Sequence, residues 1–302
     1  MSHAVVVGAG GTGAATALSL AESGRVVRLA TRSGSGPHHP RIERVAVDAA
    51  DSRQMTELCR GARTLFNCAA PAYYRWPTDF PPLANSLLHA AEVTGTDYVM
   101  LGNLYGHGPV DRPITEDLPL APSSVKGRIR AQLWADALAA HRAGRVRVTE
   151  VRASDFIGSG AGSLFTIMAV PKILAGKTAW IPADLDLPHS WTGTRDAARA
   201  LVAVSQDERA WGKVWHVPSN PPVSVRELAG RLAGVAGVRP ARLRSMPRWA
   251  LTAAGLASRM IRELPEMQYQ FRRPFILDSS WTEQVFDLKP SPLDDTLRET
   301  AE

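Results

Sequence analysis

The sequence predicts a doubly wound parallel α/β sheet (a Rossmann arrangement) with a smaller mixed C-terminal subdomain. Three observations carry this. A glycine-rich turn separates an apolar run from a small-residue stretch at the start of the chain. Short apolar runs then alternate with helix-like stretches as far as Val151, and the pattern loosens after Arg152.

Ala4-Val5-Val6-Val7 is too short for a helix and reads as a buried strand. It stops at Gly8-Ala9-Gly10-Gly11-Thr12-Gly13 and resumes as the small-residue helix Ala14-Ala15-Thr16-Ala17-Leu18-Ser19-Leu20. Gly8 permits a tight turn, Gly10 or Gly11 lets the backbone approach a pyrophosphate, and Gly13 lets helix and strand pack closely. The free N–H groups of the first turn, that of Thr12 included, face the phosphate. This order points to dinucleotide binding, with an ordinary strand–helix turn as the alternative.

Gly24 stops the helix, and residues 25–30 read as the second strand. An NAD-preferring site places an acid at that strand's end. Here Thr31-Arg32-Ser33 stands there, with no acid between Gly24 and Ile42. A guanidinium and hydroxyls suit a 2′-phosphate, which favours NADP, with NAD possible and a solvated loop arginine as the plain alternative. Val45-Ala46-Val47-Asp48 reads as the third strand, and Asp48 joins the expected cofactor set. Asp51 and Gln54 resemble a capping box for a helix over 52–60. Residues 64–67 form the fourth strand, and Ala69 and Ala70 after it are small enough for a cofactor to lie across the sheet edge.

The aromatic stretch 72–77 reads as an exposed loop, either packing or walling a substrate. Pro81-Pro82 opens a helix to Val93, residues 97–101 form the fifth strand, Ser124 caps a helix to Ala143, and 146–151 form the sixth strand. Beyond the glycine-rich run 158–163, a helix from Leu164 is interrupted near Pro171, and 194–204 is helical. Residues 214–217 form a strand, Ser224 and Glu227 open a helix by a capping box, and Asp278 and Pro292 begin short helices. The expected division is a dinucleotide-binding domain over 1–155, rejoined by 188–220, and a substrate subdomain over 156–187 and 221–302.

A chain of 302 residues with 45% apolar and 21% charged content is globular. The formal charge of +6 is scattered without basic–aromatic runs, which argues against nucleic acid and suits an anionic cofactor or substrate. Cys59 and Cys68 are the only cysteines, so neither a disulfide framework nor a zinc or other metal site is expected. The first strand starts too early for a signal peptide, and no apolar run suffices for a membrane span, so a cytoplasmic protein is expected.

Leu104-Tyr105-Gly106, the loop Pro113-Ile114-Thr115-Glu116-Asp117-Leu118-Pro119-Leu120-Ala121-Pro122 and the segment 152–158 resemble the short-chain dehydrogenase/reductase superfamily, in its extended or atypical NAD-dependent epimerase/dehydratase branch. The resemblance implies a Ser or Thr before the Tyr-Gly and a Tyr-x-x-x-Lys on the next helix. Gly127 fixes the register, placing Lys126 at the tyrosine and Arg130 at the lysine, while Leu101-Gly102-Asn103 offers no hydroxyl. Lys126 and Arg130 share a helix face, and the neighbouring cation with partial burial disfavours a charged lysine. A neutral Lys126 acts as a base and a charged one stabilises an oxyanion; a solvated helix residue is the bland reading. Tyr105, His107 and Asn103 complete the candidate catalytic set, and Arg130 is placed at the cofactor ribose.

The resemblance implies an NAD(P)-dependent enzyme acting on a small molecule, a sugar derivative or specialised metabolite, with a non-standard active site. The alternatives are a non-redox isomerase, cyclase or dehydratase using Lys126, and a nicotinamide-binding sensor without catalysis. A homodimer is implied by resemblance only. The stretches 160–191 and 249–273 carry no motif with readable chemistry.

Overall fold

The structure, a computed structural model, describes residues 2–302, without the side chains of Arg248 and Ala257. Its main sheet contains β1 (His3–Val7), β2 (Val27–Thr31), β3 (Ile42–Ala46), β4 (Ala62–Asn67), β5 (Asp97–Asn103) and β6 (Val148–Ala153). Three short strands follow, β7 (Asp155–Ile157), β8 (Ala179–Ile181) and β9 (Trp191–Gly193), then β10 (Val214–His216) and β11 (Leu243–Ser245). The sheet order is β10-β6-β5-β4-β1-β2-β3, and every neighbour pair is parallel. The order reverses beside β1, which puts a topological switch point between β1 and β4.

The helices are α1 (Gly11–Glu22), α2 (Ser52–Cys59), α3 (Trp76–Thr94), α4 (Val125–Arg142), α5 (Leu164–Met168) and α6 (Val170–Leu174). They continue with α7 (Thr194–Val204), α8 (Val225–Val235), α9 (Arg248–Ala257), α10 (Arg259–Arg262), α11 (Ser280–Phe286) and α12 (Leu293–Ala301). On one face of the sheet Met55, Phe80, Leu87 and Leu133 bury against Tyr98, Met100 and Val148. On the other, Leu20 and Leu201 bury against Val6, Val99 and Trp215. Strands covered on both faces read as continuous apolar runs, which is why the alternation was legible. A separate core joins Phe165, Ile173, Ile181, Trp191, Leu228 and Leu297 around the two-stranded pairs β7–β9 and β8–β11.

Several expected elements are corrected. The second strand spans Val27–Thr31 and the sixth Val148–Ala153, each starting two residues later than expected. The third strand is Ile42–Ala46, not 45–48, because its register on β2 runs from Val27↔Ile42 to Thr31↔Ala46. Helix α3 starts at Trp76 and carries Pro81 and Pro82 inside it. Those prolines forfeit two backbone donors, and the buried face Trp76, Phe80, Ala84 and Leu87 holds the first turns in place. Trp76 is therefore core, not an exposed loop aromatic. At Asp51 the carboxylate accepts from the Arg53 and Gln54 N–H groups, and the Gln54 amide turns to the same carboxylate instead of the backbone. The helix after Asp278 begins at Ser280. Among the described residues no helix is long and apolar enough to cross a membrane, and no cluster of His, Cys, Asp and Glu is arranged to hold a metal.

Candidate active site

The 8–13 turn lies at the C-terminal end of β1. Gly8 has φ +94°, and a Cβ there would sit 2.9 Å from the Ala69 backbone. A Cβ on Gly13 would lie 2.0 Å from the Gly8 carbonyl oxygen. Gly13→Ala is therefore expected to push α1 off the sheet at a cost of about 1–3 kcal/mol, read by denaturant unfolding. Gly10 and Gly11 separate here. Gly10 is exposed, with open space where a Cβ would stand. Gly11 is roofed by the loop after β7: its N–H donates to the Gly160 carbonyl at 3.3 Å, and Ser159 O would lie 2.5 Å from its Cβ. Thr12 is buried, and its carbonyl accepts from Thr16.

Arg32 is exposed at the end of β2, and its charge helps hold the Asp79 carboxyl below its usual range after hydrogen bonds from Arg75 and Thr78. Thr31 Oγ1 donates to the Ser35 carbonyl, and Ser33 Oγ to Ser35 Oγ. Asp48 is exposed and accepts from the Ala50 N–H. Ala69 N–H donates to Asn67 Oδ1, and Ala70 is exposed. A glycine turn open at Gly10, small residues after β4 and a free cation beyond β2 fit a dinucleotide.

Lys126 and Arg130 are arranged otherwise than expected. Lys126 is fully buried, and its Nζ donates to Glu263 Oε2 at 2.5 Å and also to Glu266 Oε1. It stands 4.5 Å from the Tyr73 ring centroid. Its nearest charges are thus two carboxylates of the C-terminal segment, not the neighbouring cation. Arg130 donates to the Leu101 carbonyl at 2.9 Å and lies over the rings of Trp76 and Phe80. Burial pulls its pKa below the usual value, and Glu150 opposes this.

Tyr105 lies in the 3₁₀ turn Leu104–His107, its N–H held by Asn103 Oδ1 at 3.2 Å. Burial pushes its phenol up to about 12, and the Asp155 charge adds to this. The Arg130 charge works against this rise without cancelling it, while Lys126 is engaged by Glu263 and Glu266.

His107 is buried, 1% exposed. Arg152 Nη1 donates to its Nε2 at 3.2 Å, while Arg152 Nε pairs with Glu150 at 2.7 Å inside the sheet face. Burial, then the Arg152 charge, depresses His107 to about 4. His216 beside them accepts the same fate, pushed by burial to about 3, although its ring reaches the Asp278 carbonyl at 2.7 Å. Gly102 makes room for this chain: a Cβ there would be 2.3 Å from Glu150 Oε1.

A cavity of about 60 Å³ opens at the C-terminal ends of β5 and β6, lined by Asn103, Tyr105, Ser154, Asp155, Ser163 and Gln270 among others. A larger one, about 690 Å³, lies at the opposite end of the sheet between Arg63, Asp97 and His141. Ligands of open α/β sheets bind outside the carboxyl ends of the strands, so the smaller cavity is the relevant one. Sequence reasoning missed Asp155, His189, Glu263 and Glu266. The Lys126 partners lie 137 and 140 residues away, beyond any local pattern.

Residues 4–217 match the NAD dependent epimerase/dehydratase family. No curated protein sequence matches the chain. The fold is similar to that of MoeE5 solved with UDP-glucuronic acid and NAD, at 20% identity and TM-score 0.80, covering 98% of this chain and 97% of that one. An epimerase from Methanothermobacter thermautotrophicus gives 17% identity and TM-score 0.82, covering 99% and 91%. A dTDP-glucose 4,6-dehydratase from Bacillus anthracis in complex with NAD gives 19% and 0.79, covering 100% and 96%. With the family matched over most of its length and the doubly wound sheet in place, the chain belongs to the NAD-dependent epimerase/dehydratase family.

Proposed function

We propose that the protein binds NADP along the 8–13 turn and acts on a small molecule, a sugar derivative or specialised metabolite, at the ends of β5 and β6. The observation that carries this is the turn itself, where Gly8 and Gly13 are held against each other and Gly10 faces open space. Gly10, Gly11, Thr12 and Gly13 present the helix terminus to a pyrophosphate, Ala69 and Ala70 line the sheet edge, and Thr31, Arg32, Ser33 and Asp48 serve the adenosine end. When bound, a nicotinamide supplies or accepts a hydride; the protein's own groups must then move the proton. Similar structures hold NAD and UDP-sugars, which makes NAD the competing cofactor.

Calorimetric titration with NADPH and NADH tests the reading, and binding of neither overturns it. Arg32→Asp is expected to weaken NADPH by about tenfold or more, the worth of one charge-assisted bond to phosphate, and to leave NADH nearly unaffected. Equal weakening of both would remove the 2′-phosphate contact while sparing the fold.

A second reading, a nicotinamide-binding protein without turnover, is favoured by the locked Lys126 and the neutral Tyr105. Proton transfer at a group other than Lys126 separates the two readings. A homodimer through α3 and α4 is testable by light scattering.

A further inference from the structure

Asp155 opens β7, which pairs in parallel with β9 so that Asp155 lies beside Trp191. His189, two residues before Trp191, comes to face the carboxylate, with Nε2 2.9 Å from Asp155 Oδ2. Its other ring nitrogen, Nδ1, is 3.2 Å from the Gln270 carbonyl oxygen. A carbonyl oxygen only accepts, so Nδ1 carries a hydrogen. Nε2 then either donates a second hydrogen to a carboxylate or accepts one from a carboxylic acid. Both arrangements hold one proton between Asp155 and His189, and both leave the pair neutral overall.

The ring has little freedom to turn. It is 2% exposed, stacked on Phe271 at 4.7 Å and 8°, with Trp191 at 4.6 Å and Phe275 at 5.5 Å. Asp155 is the member of the pair that lines the 60 Å³ cavity. Ser154, 6% exposed, lines it too, and its buried hydroxyl has no hydrogen-bond partner. No lysine, arginine or histidine stands among the lining residues. A neutral polar wall with an unpaired hydroxyl suits an uncharged oxygen. A carboxylate or phosphate would lose its hydration there without gaining a cation.

We propose that Asp155 and His189 are the proton-transfer pair of this site, with Asp155 the catalytic residue and His189 its positioning residue, and that the substrate group is an uncharged carbonyl or alcohol. This rests on the cofactor reading above, since the two electrons of such a conversion come with the nicotinamide. In donation the O–H bond at Asp155 breaks and one forms at the substrate oxygen, leaving a carboxylate beside neutral imidazole. Proton return from the alcohol reverses it. Burial holds the phenols of Tyr73, Tyr105 and Tyr269 beside the pair above their usual value. They therefore stay neutral.

The test is ¹⁵N NMR of the histidine-labelled full chain, probed with acetone, propan-2-ol and acetate. His189 is expected to keep its Nδ1 hydrogen across about pH 6–8. Acetone and propan-2-ol are expected to shift its resonances saturably and acetate at equal concentration to leave them in place, the first response being lost in Asp155→Asn. An acetate response equal to that of acetone overturns the proposal, as does silence to all three probes or a His189 that titrates as a free imidazole. These outcomes need only the unaltered protein. Failure of NADPH to bind, with the acetone response intact, would sink the cofactor reading alone.

Discussion

Lys126→Met is expected to destabilise the fold by about 3 kcal/mol, because removing one partner of a buried ionic cluster strands the others. Lys126 is fully buried, while the Glu263 and Glu266 side chains keep 26% of their surface each, so the carboxylates are left half-buried and facing one another. The loss concentrates where the chain is tied together by this contact. Glu263 caps the C-terminus of α10 and Glu266 lies in the 3₁₀ turn Pro265–Phe271, and the Val125 N–H on α4 also donates to Glu266 at 2.9 Å. Denaturant unfolding reads the total, and hydrogen exchange should show residues 259–271 opening first. Converting Glu263 and Glu266 to Gln together with Lys126→Met should recover most of the loss. If Lys126→Met alone is as stable as the parent, the cluster is not holding this segment. Loss of turnover in a Lys126 variant is therefore no proof of a chemical role unless stability is measured beside it.

Acid is expected to destabilise the protein through His107 and His216, which fold in the neutral form. Their folded values, about 4 and about 3, lie below the ordinary 6.5, so the unfolded chain binds more protons between these limits. Stability from them is complete above pH 6.5 and is lost as pH falls toward the folded values. For His107 alone this amounts to about 2–3 kcal/mol at pH 4.5, taking about 1.36 kcal/mol per unit. His107→Gln keeps an acceptor for Arg152 and cannot charge, so unfolding free energies at pH 7.5 and 4.5 should differ less in that variant. An unchanged difference would mean that His107 is solvated in the protein as it exists in solution.

The layered architecture was legible because central strands are covered on both faces and helix starts carry chemical marks. Ser124 accepts from the Gly127 N–H and Ser224 from the Glu227 N–H, at the positions where the helices begin. The edge strand was less legible. Ile42-Glu43-Arg44-Val45-Ala46 has no fully buried residue, so its apolar positions do not form a run. Prolines usually mark a first turn, so the sequence predicts a late start for α3, whereas a buried aromatic face overrides them. In the site, positions on contiguous motifs were readable and their partners were not. The Lys126 position follows from Gly127, but its two carboxylates and the Asp155–His189 pair are brought together only by tertiary packing.

Gly102 bears on what the end of β5 can carry. A Cβ on Gly102 would fall 2.3 Å from the Glu150 carboxylate. That carboxylate is tied to Arg152, which in turn holds neutral His107. A hydroxyl-bearing side chain at 102 must displace Glu150, and displacing Glu150 leaves Arg152 buried without its counter-ion. A single substitution of Gly102 by any residue with a side chain is therefore expected to destabilise the protein. The strand end is closed to side chains by a carboxylate that fills the space beside it.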